Sequence, residues 1–225
     1  MLSMASSPLP ADPTLDEIRE AVAPRLAAHA AFDGWNDIAV EAAAVEVGVD
    51  PDLAGLSLKG GPMALIEAWI GSVDAEMARR LPPEKLAAMK IRERITALVA
   101  TRLEIAAPDR EGQRRAMAIM AMPQNLATAT RVGWRSADRM WRLAGDTATD
   151  FNHYTKRMTL SAVYASTLAV FVNDESEGFA ETRAFLDRRI ENVMQFEKAK
   201  AQAKKRREYM PSLSRFIGRL RYPPR

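Results

Sequence analysis

The hydrophobic pattern of this chain follows the period of the α-helix throughout. No segment shows sustained alternation of apolar and polar residues, and the helix formers Ala, Leu, Met, Arg and Glu dominate. Apolar residues make up 48% of the 225 positions, which is enough for a sizeable core. The sequence therefore predicts an all-α protein built as a bundle of helices.

Capping residues and breakers set the expected helix limits. Thr14 and Glu17 form a capping box at the first helix, Pro24 interrupts that helix, and Gly48 ends the next one. The later helices are expected at Pro51 onward, Met63–Arg80, Glu84–Ala106, Asp109–Met122, Gln124–Leu143, Thr149–Asn173 and Ser176–Arg206, with a tenth over Tyr209–Leu220.

Three parts are predicted along the chain. Residues 13–60 resemble a helix-turn-helix unit, residues 61–206 a larger helical part, and residues 207–225 a basic tail. A DNA-reading helix needs Arg, Lys, Asn or Gln directed at base edges. The stretch Asp52–Leu58 has none of these, and Lys59 is the only cation beside it. We therefore expect the helix-turn-helix geometry without DNA reading.

The residues favour neither a metal site nor a catalytic one. The chain has no cysteine and only two histidines, His29 and His153. Asp150 lies three residues before His153, but we interpret Asp150 as a helix cap and His153 as a surface contact. No Ser–His pair, paired carboxylates or phosphate-binding loop is present in the sequence. We expect no metal, no cofactor and no enzymatic activity.

The segment Gly145–Arg189 carries the most specific pattern. It begins with GDTATDF, continues through Asn152-His153-Tyr154 into an apolar helix over Leu160–Val172, and includes FLDRR near its end. With FDGWND at Phe32–Asp37, it resembles the coenzyme Q biosynthesis protein nine family, an accessory family of ubiquinone biosynthesis. The resemblance covers most of the chain. The position of His153 is usually Trp in that family, whereas Tyr154 matches.

The resemblance implies a TetR-like fold, a homodimer and a non-catalytic role. Members bind an isoprenoid quinone intermediate or a phospholipid, and they assist the di-iron demethoxyubiquinone hydroxylase. The implied mechanism hides the lipid tail in an apolar cavity and docks the hydroxylase on a surface patch. The implied location is the cytoplasm, peripheral to the inner membrane of a bacterium, and we expect no leader peptide. The alternatives are a TetR-type ligand-sensing regulator of the same outline and, with less support, a lipid-modifying enzyme.

Two groups of residues are the candidate binding sites in the helical part. From the residues alone, the methionine-rich and aromatic faces are ordinary helical core, and the resemblance favours a lipid cavity instead. The predicted lipid-binding residues are Met117, Met120, Trp134, Trp141, Tyr164, Leu168 and Phe171. The predicted partner-binding residues are Met140, His153, Tyr154 and Lys156.

The C-terminal segment differs in charge from the rest of the chain. Residues 198–225 contain ten basic residues and one acid, a charge of +9, so the rest of the chain carries 3 − 9 = −6. Met210, Leu213, Phe216, Ile217 and Leu220 recur at helical spacing among arginines, which is typical of a helix lying on an anionic membrane surface. The alternative is a helix that packs on the body or on a dimer mate. The longest apolar run is about 13 residues against the roughly 20 of a span, so no transmembrane helix is expected.

Overall fold

The computed structural model describes residues 9–10, 12–147, 149 and 151–209, and every regular element within them is helical. The all-α prediction is confirmed. The helices are α1 (Leu15–Val22), α2 (Leu26–Asp33), α3 (Asp37–Val47), α4 (Pro51–Ser57), α5 (Gly61–Arg80), α6 (Pro83–Ala87), α7 (Ile91–Ala106), α8 (Arg110–Met120), α9 (Leu126–Leu143), α10 (Phe151–Phe171) and α11 (Ala180–Tyr209). Short 3₁₀ turns lie at Ala23–Arg25, Ala107–Asp109, Pro123–Asn125 and Glu177–Phe179.

The local chemistry of the N-terminal helices follows the prediction. The Thr14 side chain accepts from the Glu17 amide, and the Glu17 carboxylate accepts from the Thr14 amide at 2.8 Å, so the capping box is present. Pro24 lies in the 3₁₀ turn that separates α1 from α2. Gly48 adopts the left-handed conformation, with φ 74°, that ends α3.

The predicted helix Glu84–Ala106 is wrong, because the chain forms α6 and α7 instead. Lys90 is extended, with ψ 156°, and the Glu93 carboxylate accepts from its amide at 2.9 Å to begin α7. The Arg94 guanidinium secures the corner by donating to the carbonyls of Ala87, Met89 and Ala144. No Gly or Pro marks this break in the sequence.

The protein forms two compact units, one up to Leu186 and one from Asp187 onward. Within the first unit, α5 contacts α7, α8 and α9 as well as α1 and α2, so the helix-turn-helix part shares its core with the larger helical part. In the second unit, α11 continues to Tyr209. Residues 210–225, including most of the predicted tenth helix, lie outside the described residues.

The FDGWND motif forms the joint between α2 and α8. The Trp35 indole is buried, donates to the carbonyl of Gly112 at 3.1 Å, and lies 5.6 Å from the ring of Trp69. A Cβ atom on Gly112 would stand 2.1 Å from the carbonyl oxygen of Ala27. The close approach of the two helices therefore requires glycine at position 112.

The acidic turn after α10 is closed by one buried carboxylate. Asp174 accepts from the amide and hydroxyl of Ser176, at 2.8 and 2.5 Å, and from the amide and hydroxyl of Thr182, at 2.8 and 2.6 Å. Burial raises the pKa of Asp174, but these hydrogen bonds outweigh burial and hold that pKa well below its usual range. The ionised carboxylate therefore stabilises the turn.

Candidate functional site

A cavity of about 490 Å³ lies among α5, α7, α8, α9 and α10, within the range of about 300–1,000 Å³ typical of ligand pockets. Its lining is mainly apolar. The lining residues are Trp69, Ile70, Val73, Arg102, Gln113, Met117, Met120, Ala121, Leu126, Ala129, Thr130, Val132, Gly133, Trp134, Ser136, Met158, Ser161, Ala162, Tyr164, Ala165 and Leu168.

The cavity leads from buried helix faces to the surface. Trp69 and Val132 are buried, whereas Leu126 is 52% and Met158 is 61% exposed. All four side chains line the same space. An apolar group can therefore reach the interior past α9 and α10, and burying its surface away from water favours its binding.

The buried part of the cavity has a polar end, which we define as the lining residues Arg102, Gln113 and Ser136 together with Asp74, which binds Arg102 and Ser136 outside the lining. Arg102 on α7 forms an ion pair with Asp74 on α5, and the Ser136 hydroxyl on α9 donates to the same carboxylate at 2.9 Å. The Arg102 guanidinium also lies 4.8 Å from the centre of the Tyr164 ring on α10. Mutual pairing of these buried charges offsets their loss of water, and it connects four helices around the cavity.

An aromatic cluster, Trp134, His153 and Tyr154, lies between the cavity and the surface. The Trp134 ring centre is 6.4 Å from that of His153 and 6.0 Å from that of Tyr154, and the His153 and Tyr154 rings are 5.2 Å apart. Tyr154 is 57% exposed. Because Trp134 also lines the cavity, a ligand inside and a partner outside would share this side chain.

Buried charges fix the start of α10 beneath the aromatic cluster. The Arg157 guanidinium is buried and binds the carboxylates of Asp138 at 2.5 Å and Asp146 at 3.0 Å. Lys156 binds Asp146 at 2.6 Å. Burial raises the pKa of Asp146, but hydrogen bonds from Lys156 and Arg157 outweigh burial and lower that pKa. Asp146, in the Gly145–Asp146 turn before α10, thus binds the first turns of that helix.

The structure brings five of the seven predicted lipid-binding residues into the cavity lining: Met117, Met120, Trp134, Tyr164 and Leu168. The other two lie elsewhere.

Trp141 donates to the carbonyl of Lys156 at 3.0 Å, and the Lys156 ammonium lies 5.3 Å from the centre of its ring. Phe171 is fully buried against Phe179, with ring centres 5.0 Å apart. Lipid binding itself stays a prediction.

Three of the four predicted partner-binding residues lie in or beside the aromatic cluster, and the fourth does not. His153 and Tyr154 belong to the aromatic cluster, and Lys156 follows them on α10. Met140 is fully buried, because it continues the inward face of α9 formed by Val132 and Ser136. The expectation that Met140 lies on the surface patch is therefore not met.

Other predicted residues lie away from the cavity or outside the described residues. His29 pairs with Glu46 at 2.9 Å, and no group of three metal-binding side chains occurs among the residues that the structure describes. Asp150 and the predicted membrane residues Met210, Leu213, Phe216, Ile217 and Leu220 are outside that part of the chain. None of the described helices combines the length and apolar character of a membrane span.

Sequence reasoning missed the polar end of the cavity. The partners Asp74 and Arg102 are 28 positions apart, and Ser136 is 62 positions from Asp74. The available signal was local: each charged residue interrupts an apolar helix face, with Ile70 and Val73 before Asp74 and Leu98 and Val99 before Arg102. A charge on such a face predicts a buried partner but does not identify it.

Comparison with known proteins agrees with the sequence resemblance. Residues 126–197 match the COQ9 family model. The human protein "Ubiquinone biosynthesis protein COQ9, mitochondrial" is 32% identical over 168 residues, which are 72% of this chain and 52% of the human protein. The Drosophila melanogaster protein of the same name is 28% identical over 187 residues, 81% of this chain and 57% of that protein. The chain thus spans about half the length of the curated relatives it matches.

One solved structure shows the fold. A TetR transcriptional regulator from Nitrosomonas europaea superposes with a TM-score of 0.63, over 79% of this chain and 98% of the regulator, at 22% identity. The TetR-like fold prediction is confirmed.

Proposed function

This chain is a relative of the COQ9 proteins of ubiquinone biosynthesis, and we propose that it is a non-catalytic lipid-binding accessory protein in that pathway. Its ligand is a polyprenyl quinone intermediate, which it presents to a di-iron hydroxylase at the membrane. The observation that carries this proposal is the apolar cavity that reaches the surface beside the aromatic cluster. The names of the relatives supply the pathway.

The ligand's chemistry explains why an accessory protein is needed. A polyprenyl quinone stays in the bilayer because transfer of its apolar surface into water is unfavourable. A cavity lined by Trp69, Met117, Met120 and Leu168 offers an apolar environment without a membrane. Methionine side chains adapt to irregular ligands, which suits a flexible isoprenoid chain.

The exposed part of the aromatic cluster is the proposed docking surface for the hydroxylase. Tyr154 exposes its ring 6.0 Å from that of Trp134, which lines the cavity, and it lies one helical turn before Met158, which also lines the cavity. Tyrosine is enriched at the centres of protein interfaces, where its large ring is buried at low entropic cost. Docking there would place the hydroxylase next to the ligand's exit.

The basic tail is the proposed membrane contact. Each Lys or Arg near an anionic leaflet contributes about 1 kcal/mol, and apolar residues at helical spacing add the burial of their side chains. Liposome binding tests this part separately from lipid binding in the cavity. We propose a peripheral association that salt weakens.

A DNA-binding regulator is disfavoured by charge. Residues 13–60 carry nine carboxylates and three cationic side chains, a net charge of −6. DNA binding depends on neutralising phosphates with Lys and Arg, and an acidic surface repels them. In a gel-shift assay at about 150 mM salt, where screening is strong, we expect no sequence-specific complex. Protection of a defined promoter fragment would favour the regulator.

A deletion strain tests the role in ubiquinone biosynthesis. Cells without the gene are expected to lose ubiquinone and accumulate the hydroxylase's demethoxy substrate, and a plasmid copy is expected to restore the product. A copy with Gly133→Leu, which places a side chain in the cavity lining, is expected not to restore it, whereas Gly71→Leu on α5 serves as the matched control. Normal ubiquinone in the deletion strain would contradict the proposal.

A further inference from the structure

The first unit also contains an open groove of about 810 Å³, which lies on another face of α5 from the cavity. On α5, the cavity is lined by Ile70 and Val73, whereas the groove is lined by Gly71, Ser72 and Ala75. Residues three or four apart on a helix share a face, so α5 separates the two spaces. No residue lines both of them.

Arginines from four stretches of the chain line this groove. They lie on α1, in the 3₁₀ turn after it, on α5 and on α9: Arg19, Arg25, Arg79, Arg135 and Arg139. Against them stand three glutamates, so the lining has a net charge of +2. The chain up to residue 197 carries −6, and the groove is therefore a cationic site on an otherwise acidic body.

Two of the three glutamates are already neutralised by the arginines of the groove. Glu76 binds Arg79 at 2.7 Å, and Glu67 binds Arg135 at 2.8 Å. Each of these glutamates also binds a second arginine outside the lining. A guanidinium group has five N–H donors, so a carboxylate on one edge holds it in place and leaves donors for another acceptor. The third glutamate, Glu20, is exposed.

Two further arginines of the groove have no carboxylate partner. Arg19, which is half-buried, and Arg139 form no ion pair with the residues that the structure describes. A single arginine of this kind needs no explanation, because water solvates it. Several guanidinium groups around one space repel one another, however, and a bound anion would offset that repulsion.

The chemistry of the lining indicates the class of anion. The planar guanidinium group donates to two oxygens at once, which matches phosphate geometry. A phosphate group carries a charge of about −1.5 to −2 and three strong acceptor oxygens, so it can bind several arginines together. The groove has the volume of a site for an organic ligand, typically about 300–1,000 Å³. Its α5 side, with Ala68, Gly71 and Ala75, offers a small apolar surface to an uncharged part.

We propose that this groove binds an organic phosphate, with Arg19, Arg139 and the paired arginines on the phosphate groups and the small residues of α5 against the rest of the molecule. The site is additional to the proposed lipid cavity and does not depend on it. A soluble phosphate compound and the head group of an anionic phospholipid share this chemistry.

The test measures equilibrium dialysis of the full chain with two soluble probes. ADP carries phosphate groups, and adenosine is the same molecule without them. The protein is expected to bind ADP at least about tenfold more tightly than adenosine, because charge-assisted hydrogen bonds to arginine are the strong ones. Inorganic pyrophosphate is expected to displace ADP.

The double variant Arg19→Gln/Arg139→Gln is expected to lower ADP affinity at least about tenfold. Its unfolding midpoint is expected to stay unchanged, because neither arginine has an ion pair to lose. The matched control, Lys59→Gln/Arg115→Gln, removes the same charge from exposed positions outside the groove and is expected to keep the affinity. Any attraction of ADP to the basic tail is the same in all three proteins.

Two glycine variants distinguish this groove from the cavity. Gly71→Leu adds a side chain to the groove lining and is expected to weaken ADP binding while lipid binding stays unchanged. Gly133→Leu is expected to do the reverse. Phosphatidylglycerol vesicles then identify the source of the phosphate. Displacement of ADP by the vesicles would identify a lipid head group, and undisturbed ADP binding would identify a soluble compound.

Equal binding of ADP and adenosine by the unmodified protein would overturn the inference, even if the variants do not fold. Unchanged ADP affinity in folded Arg19→Gln/Arg139→Gln would also overturn it. The same loss in the Lys59→Gln/Arg115→Gln control would show a general attraction to cations and would overturn it as well. All three results leave the proposed lipid-carrying function standing, because that function rests on the separate cavity.

Discussion

A leucine at Gly133, in the cavity lining, separates the effect on ligand binding from the effect on stability. Gly133 lies within α9 and lines the cavity, and a Cβ atom built there meets no atom within 4 Å. A Cβ atom therefore fits at this position without moving the backbone, and the variant Gly133→Leu adds three further carbon atoms on the side of α9 that lines the cavity. Gly133→Ala adds only one carbon and is the matched control for the change in helix propensity.

Gly133→Leu is expected to raise the stability of the protein and to lower its affinity for the ligand. Replacing a glycine inside a helix stabilises it by about 1 kcal/mol, which corresponds to roughly 2–4 °C in the unfolding midpoint of a domain of this size. Ligand affinity is expected to fall more than about tenfold in Gly133→Leu, since overlap of a ligand with a rigid side chain forfeits well over 1.4 kcal/mol of contact. Gly133→Ala is expected to gain the stability and keep most of the affinity.

The assays are thermal unfolding and equilibrium dialysis with a ubiquinone that carries a two-isoprene chain. Gly71→Leu on α5 controls for adding a leucine to a half-buried helix position, because a Cβ there also meets open space and Gly71 lies outside the cavity lining, in a separate groove. Unchanged affinity in a folded Gly133→Leu protein would refute the assignment of this cavity as the ligand site. A lower unfolding midpoint in Gly133→Ala would refute the reading of open space at this position.

Arg102→Leu leaves a buried carboxylate unpaired and is expected to lower the free energy of unfolding by about 3–5 kcal/mol in urea titrations, and no loss would contradict a buried ion pair. Asp174→Asn is expected to destabilise the protein at pH 7. Because the folded pKa of Asp174 is depressed, its contribution is present above its unfolded pKa of about 3.9 and is lost as pH falls through the folded value, so the gap between variant and parent should narrow in acid. Tyr154→Ala is expected to weaken hydroxylase binding by at least about 2 kcal/mol without changing the unfolding midpoint. Phe32→Ala, at an exposed ring outside the cavity lining, is the control and should change neither quantity. An equal loss of binding in both variants would refute the assignment of Tyr154 to a docking surface. A chain ending at Arg206 is expected to float less with anionic liposomes than the full chain, and equal flotation of the two would leave the tail as a packing element.

Residues that act within one or two helical turns were predictable from the sequence. Thr14 and Glu17 satisfy each other across three residues, and Gly48 ends a helix by its own conformation, so neither needs a distant partner. The break at Lys90 was not predictable, because Arg94 holds it partly through the carbonyl of Ala144, 50 positions away. Local propensity yields to such tertiary contacts.

The candidate site also contains residues that the sequence predicts correctly and residues that it does not. Helical spacing and the family resemblance placed Met117, Trp134 and Leu168 on faces that meet at the cavity. They did not distinguish Phe171, which packs into the core, or Met140, which faces inward. An apolar residue on an inward face meets core or cavity according to the helix opposite it, and periodicity alone contains no information about that helix. Homodimer formation stays a prediction.

The central claim is that this protein carries an isoprenoid lipid in the cavity lined by Gly133. The most direct measurement is mass spectrometry of organic extracts of the purified full chain, made in parallel from the unmodified protein, Gly133→Leu and Gly71→Leu. We expect an isoprenoid quinone or a precursor in near-stoichiometric amount in the unmodified protein and in Gly71→Leu, and little in Gly133→Leu. No isoprenoid lipid in repeated preparations of the unmodified protein, or an equal amount in folded Gly133→Leu, would contradict the claim.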